Sequence, residues 1–226
     1  MRTHRSCILS VTIYCHSLRL SDRMALVYDK KMGKGMVYLF TGEGKGKTSA
    51  ALGVMLRMLL IGKPVVWISW FKNREWQISE MGLDQAFPDL LEMYWTGEGF
   101  FIKEPETIIN GVKMAKVNKG RVRDVASPVS HNQSAKKSLE LVKDVLKRNV
   151  KPALVVMDEA LQAIKEGLLT EKEVLAVIKQ RGETHIVLTG RGARVGLIKS
   201  ADLVTEMKKV KHPYDSGKLA IKGLDY

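Results

Sequence analysis

Positions 41–50 read TGEGKGKTSA, a glycine-rich loop that runs into Lys47 and Thr48. Gly42, Gly44 and Gly46 let backbone N–H groups turn inward toward a phosphate, in a conformation that a Cβ at positive φ would resist. Lys47 adds a point charge, the Thr48 hydroxyl a hard oxygen suited to Mg²⁺, and a helix starting at Lys47 its positive end. These are the parts of a phosphate cradle. The spacing departs from G-x-x-x-x-G-K-[ST]: counting back from Gly46, the first glycine should fall at 41, where this chain has Thr. The loop also carries an additional lysine, Lys45.

Other residue types with chemistry to offer follow in order. Asp158 and Glu159 close the apolar run LVVM; one carboxylate beside the Mg²⁺ of a loop-bound nucleotide is a common division of labour, and two acids capping the next helix is the plainer alternative. Phe100 and Phe101 sit in a glycine-flanked loop just after Tyr94 and Trp95, a pattern that fits lid packing or contact with a flat cofactor. The run TGRG at 189–192 holds Arg191 between glycines, where it can meet an anion. His212, in VKHPYDSG, carries a structural reading.

The elements that must position these residues alternate. MVYLFT (36–41), VVWISWF (65–71), LLEMYW (90–95), ALVVMDE (153–159), HIVLTG (185–190) and ADLVTEM (201–207) read as short apolar strands. TSAALGVMLRMLLI has helix propensity and is stopped by Gly62 and Pro64. A polar helix-like segment is expected to about Ala86. Residues 133–149 carry helical spacing, and Thr170 with Glu173 forms a capping box for a helix reaching Arg181. Residues 103–130 show no clear periodicity and read as a long loop or lid. The order predicts an α/β fold: a doubly wound, mostly parallel sheet with helices on both faces, P-loop NTPase-like. Ligands of such sheets sit beyond the strand C-termini, so the loops TGEGKGKTS, TGEGFF, DEA and TGRGAR should line one site.

Composition bounds the rest. The chain of 226 residues is long enough for one α/β domain, and its 45% hydrophobic and 27% charged content fits a soluble globular protein. Cys7 and Cys15 lie near the N-terminus, so no disulfide is expected beyond them and a reducing, cytoplasmic setting follows. The formal charge of +13 invites a nucleic-acid reading. Residues 1–35 hold seven Lys/Arg against two Asp/Glu, and residues 103–137 eight against three, so much of the excess lies in solvated tails and loops. Residues 1–35 are expected to be a disordered extension or to lie upstream of a true start at Met24, Met32 or Met36. The opening run is too short and polar to span a membrane.

The loop TGEGKGKTSAALG, the strand LVVMDE and the run TGRGARVGLIKSADLVTEMKKVKHPYDSGKLAIKGLDY together resemble the P-loop-type ATP:corrinoid adenosyltransferases over residues 36–226. His131 and Ala135 match an H-x-x-x-A element of that family. The resemblance implies transfer of the 5′-deoxyadenosyl group of ATP to the Co(I) of a corrinoid, with triphosphate leaving whole. The family pattern TGxGKGKT contains both Thr41 and Lys45. ATP contacts are then expected at Thr41, Gly42, Glu43, Gly44, Lys45, Gly46, Lys47, Thr48, Ser49 and Arg191, with Lys45 and Lys47 neutralising the leaving group, and Mg²⁺ at Thr48, Asp158 and Glu159. The family's corrinoid loop reads roughly G-x-G-F-x-W. Here it is GEGFFI at 97–102, which assigns corrinoid contact to Phe100, Phe101 and Ile102, the last in the Trp position. The 103–130 segment is longer than the family pattern. No general acid or base is expected. A reduced flavoprotein electron donor and a homodimer are further implications. The competing readings are a P-loop ATPase or kinase and, from charge alone, a nucleic-acid-binding protein.

Overall fold

A computed structural model describes residues 33–117 and 120–225. Both cysteines and residues 1–32 of the expected N-terminal extension lie outside them. Six strands form one sheet in the order β3-β2-β7-β8-β1-β9: β1 (Val37–Thr41), β2 (Val65–Ser69), β3 (Leu91–Trp95), β7 (Leu154–Asp158), β8 (His185–Thr189) and β9 (Leu203–Glu206). Every pairing in it is parallel, so all six C-terminal ends face the same way.

The sheet is covered on both faces, and the strand residues divide between two cores by their period of two. Val37, Leu39, Val66, Ile68, Val155, Met157, Ile186 and Leu188 belong to one core, with α3 (Pro128–Lys147), α4 (Ala160–Lys165), α5 (Glu171–Lys179) and α6 (Val195–Ser200). Phe40, Val65, Trp67, Leu91, Met93, Leu154, Val156 and Val187 belong to the other, under α1 (Lys47–Leu60) and the short α2 (Leu83–Ala86). Helix α1 buries Ala51, Met55 and Leu59, four residues apart and therefore on one face. Thr170 accepts from Glu173 N while the Glu173 carboxylate takes Thr170 N, the capping box expected at the start of α5.

Two expectations need correction. The segment before Ala86 is mostly short 3-10 turns, Arg74–Trp76 and Ser79–Gly82, with only one turn of α-helix after them. The 103–130 segment is not a loop. It holds a three-stranded antiparallel sheet of β4 (Thr107–Ile109), β5 (Val112–Val117) and β6 (Gly120–Asp124), followed by the first turn of α3. Asn110-Gly111 joins β4 to β5 with φ of 48° and 79°, the pair of positive values that a tight two-residue hairpin turn requires. Helix α3 begins at Pro128 rather than 133, because Ser127 caps it by accepting from Ser130 N and proline suits the first helical position.

Candidate active site

The phosphate loop leaves β1 and turns against the end of β9. Gly44 N donates to Met207 O at 2.6 Å, and a Cβ on Gly42 would meet that same carbonyl at 2.5 Å. Gly42 and Gly46 have φ of 104° and 106°. The ADLVTEM strand thus presses directly on the loop, which leaves no room for side chains there. Thr41 is the last residue of β1. It is buried, and its hydroxyl accepts from Ala193 N at 3.4 Å, so it fastens β1 to the TGRGAR loop.

Lys47 is 8% exposed and donates to the carbonyls of Gly42 (2.9 Å) and Gly44 (2.6 Å). Burial lowers its pKa, with Glu159, Glu43 and Asp158 opposing that effect. Lys45 is paired with Asp225 near the C-terminus and lies 5.9 Å from the Tyr214 ring centre. Glu43 faces away from the loop interior, toward Arg191 (3.0 Å) and Lys165 (3.3 Å). That ion pair draws the TGRGAR loop to the phosphate loop.

Asp158 is fully buried at the end of β7, and both of its oxygens are occupied. Oδ1 accepts from Thr48 Oγ1 at 3.1 Å and Thr189 Oγ1 at 2.8 Å. Oδ2 accepts from Ser69 Oγ at 2.8 Å and lies 3.0 Å from Lys72 Nζ. Lys72 also lies 3.0 Å from Glu80 Oε1. Burial by itself would push the Lys72 ammonium down, but the two carboxylates outweigh it and hold its pKa above the ordinary lysine value. Glu159 is different. It adopts left-handed backbone, φ 65°, directly after the strand, and its carboxylate accepts no hydrogen bond among the described residues. Desolvation, followed by repulsion from Asp158, raises its pKa. A non-glycine residue at such a φ costs free energy, and sites of function are where such strain collects. Two carboxylates adjacent in sequence therefore have separate tasks: Asp158 organises hydroxyls and a lysine, and Glu159 faces the open space.

That space has connected parts. A cavity of about 390 Å³ is lined by Lys45, Lys47, Thr48, Ser49 and Glu159. One of about 730 Å³ shares Thr48, Ser49 and Glu159 and is walled by Trp76, Phe100 and Leu83. A third, about 340 Å³, is lined by Phe101, Glu166 and Arg191 and again by Trp76, Phe100 and Glu159. The expected loops do line one site. Phe100 is 45% exposed and stacks on Trp76, ring centres 4.8 Å apart. Phe101 packs edge-on to His131 at 4.9 Å. Ile102 differs from expectation: it is 8% exposed, lines none of these cavities, and its backbone N–H is held by Asp124 Oδ2 at 2.9 Å. Asp124 Oδ1 meets His131 Nε2 at 2.8 Å, so the end of β6 and the start of α3 clamp the aromatic loop. His212 caps the Pro213–Ser216 turn by accepting from Tyr214 N, a structural role.

Lys72, Ser69, Thr189, Trp76 and Asp124 escape sequence reasoning. Hydroxyls at the ends of apolar strands, Ser69 and Thr189, were a visible signal for partners of Asp158. Lys72 lay just past the VVWISWF run, and the run leaves the sheet at Ser69, two residues before its apolar stretch ends.

A parallel sheet with a glycine loop between its β1 and the following helix, facing a strand-end Asp-Glu pair, defines a P-loop nucleotide-binding α/β protein. Residues 33–226 match the family described as ATP:corrinoid adenosyltransferase BtuR/CobO/CobP, and the chain belongs to that family. It is 32% identical over 216 residues to a corrinoid adenosyltransferase of Pseudomonas aeruginosa, covering 93% of this chain and 95% of that one. A corrinoid adenosyltransferase of Sinorhizobium sp. is 30% identical over 217 residues (93% and 91%). The corrinoid adenosyltransferase CobA of Salmonella typhimurium is 29% identical over 212 residues (92% and 94%). No helix among the described residues is long and apolar enough to cross a membrane.

Proposed function

We propose that this chain transfers the 5′-deoxyadenosyl group of ATP to the Co(I) of a corrinoid. The observation that carries the reading is family membership across 33–226, with the phosphate loop and an aromatic wall opening onto shared cavities. In the step, the electron pair of Co(I) forms a bond to C5′, the C5′–O bond breaks, and its electrons leave with the triphosphate. No proton moves at the reacting carbon, so the chain's work is proximity and stabilisation of leaving-group charge.

Lys47 serves this by exchanging its hold on the Gly42 and Gly44 carbonyls for triphosphate oxygens, and Lys45 by exchanging Asp225 for the same group. The loop glycines and Ser49 complete the cradle, and Arg191 stands at its edge behind Glu43. Mg²⁺ fits here. The Thr48 hydroxyl and the Glu159 carboxylate are hard oxygen donors on one cavity, and Glu159 accepts no hydrogen bond among the described residues. Asp158, with its oxygens taken, orients Thr48 from behind instead of meeting the metal. When bound, the ion supplies further neutralisation of the triphosphate. Phe100 and Phe101 contact the corrinoid. A reduced flavoprotein supplies the electron that brings Co(II) to Co(I), the working unit is a homodimer, and the setting is cytoplasmic.

The test is an anaerobic reaction of the full chain with ATP, Mg²⁺ and chemically reduced corrinoid. The Co–C bond spectrum and free triphosphate are expected in equal amounts. Formation of ADP and phosphate without the Co–C spectrum would replace this reading with an ATPase.

A further inference from the structure

We infer that Gln162 selects corrinoids that carry a carboxamide arm at the ring edge beside it, by offering an acceptor that only a hydrogen-bond donor can satisfy; this rests on the adenosyltransferase reading above. Gln162 lies on α4, three residues after Glu159, and lines the 340 Å³ cavity with Glu166 and Arg191. Its Oε1 is shielded from water and accepts no hydrogen bond among the described residues, where no other buried side-chain nitrogen or oxygen is left in that state. A buried acceptor without a partner costs free energy, and folded chains keep few of them.

The amide is held in one orientation. Gln162 Nε2 donates to Glu166 Oε1 at 2.7 Å, and Glu166 Oε2 lies 3.1 Å from Lys103 Nζ. Turning the amide round would set its carbonyl against a carboxylate, two acceptors facing each other. Lys103, Glu166 and Gln162 therefore form a chain that runs from cation to acceptor and ends at Oε1. The cavity indicates which ligand brings the missing donor. None of Lys45, Lys47, Thr48 and Ser49 lines it, so it lies off the phosphate cradle, on the side read as the corrinoid's. The edge of a corrin ring carries acetamide and propionamide arms where it is amidated and carboxylates where it is not. A small rotation of the Gln162 side chain that keeps Nε2 on Glu166 presents Oε1 to such an arm. An amide arm supplies an N–H there. A carboxylate arm has acceptors only, and would meet Oε1 and the Glu166 carboxylate with nothing to donate. A site built around a ligand's donor rejects the analogue that lacks it.

The experiment measures anaerobic binding to the full chain, with ATP present, of cob(II)alamin and of its monocarboxylic acids, each with one arm hydrolysed. Wild type should bind at least one of the acids about tenfold more weakly than the parent. Gln162→Met has a similar shape without the acceptor. It should bind the parent about fivefold more weakly and lose the preference for amide over acid, with ATP affinity within about twofold of wild type and an equal or higher Tm. Parent and acids bound alike by wild type, or the wild-type preference kept in Gln162→Met, would overturn the inference. A loss confined to ATP would also overturn it, by giving Oε1 to a ribose hydroxyl or the adenine amine. A lower Tm with both substrates weakened in parallel would overturn it too, by giving Oε1 to the fold. If Gln162→Met fails to fold, Glu166→Gln takes its place, because a neutral partner frees the amide to turn: a narrowed preference supports the inference and an unchanged one overturns it. A wild type that binds neither the parent nor any acid would remove the functional reading, and this inference with it.

Discussion

Lys72 Nζ lies 3.0 Å from Asp158 Oδ2, so the loop after β2 neutralises the acid that ends β7. The lysine is mostly buried and its partner wholly so. Removing one member of such a pair leaves the other charge uncompensated in a poorly solvated place. Lys72→Met is therefore expected to cost about 3–5 kcal/mol of stability, measured by denaturant unfolding. Replacing the outer partner instead, Glu80→Gln, should cost less, because Asp158 still holds the lysine. Equal stability of Lys72→Met and wild type would show that the pair contributes nothing.

The ion pair between Lys45 and Asp225 sets a competition with ATP. Asp225→Asn frees the lysine and should tighten ATP binding by up to about fivefold, the range of an exposed ion pair. Lys45→Ala should weaken it, and Lys47→Ala should abolish detectable binding. Calorimetric titration with ATP and Mg²⁺ decides all three; weaker binding by Asp225→Asn would mean that the C-terminal carboxylate supports the site.

Glu159 governs the response to metal and pH. Its pKa is raised by burial and by Asp158, so protons begin to compete with Mg²⁺ at a higher pH than for an ordinary glutamate. Mg²⁺ affinity should fall as the pH drops toward mildly acidic values, where the carboxylate protonates. In Glu159→Gln the affinity should be low throughout and flat with pH. A wild-type slope retained in Glu159→Gln would assign it to another group.

The Asp124 clamp should act on one substrate alone. Asp124 accepts from Ile102 N and Ala126 N and meets His131 Nε2. Asp124→Ala leaves those buried donors unpaired at about 1–3 kcal/mol. It loosens the loop carrying Phe100 and Phe101 but does not reach the phosphate loop. KM for corrinoid should rise while KM for ATP stays, as steady-state kinetics would read; parallel rises in both would point to general destabilisation.

Thr170→Ala serves as a control far from the chemistry. Losing the cap of α5 should cost about 1 kcal/mol, a fall of about 2–4 °C in Tm for a domain of this size. Adenosyl transfer should be unchanged at temperatures below the melt.

Local features were legible wherever the sequence carries its own physical instruction. Glycines at 42, 44 and 46 followed by Lys47 and Thr48 need no distant partner to announce a phosphate loop. The apolar runs that end at Thr41, Asp158 and Thr189 are buried on both faces, as their continuous hydrophobicity requires. Their parallel alignment follows from the intervening helices, and it brings the expected loops to one edge. The hairpin at Asn110-Gly111 was written just as locally, but the basic residues around it masked the strand alternation.

What the sequence alone determined was the strands of the six-stranded sheet, the phosphate-loop chemistry and the family resemblance. Only the tertiary structure decided which groups touch. Lys72 reaches Asp158, Trp76 meets Phe100, and Asp225 takes Lys45 across separations of 86, 24 and 180 residues. Side-chain partners at such range are set by strand order and loop path, which no local propensity encodes. The same reason separates two neighbours that look alike in sequence: Asp158 is the last residue of a buried strand and meets hydroxyls, while Glu159, one residue on in left-handed backbone, turns to the cavity.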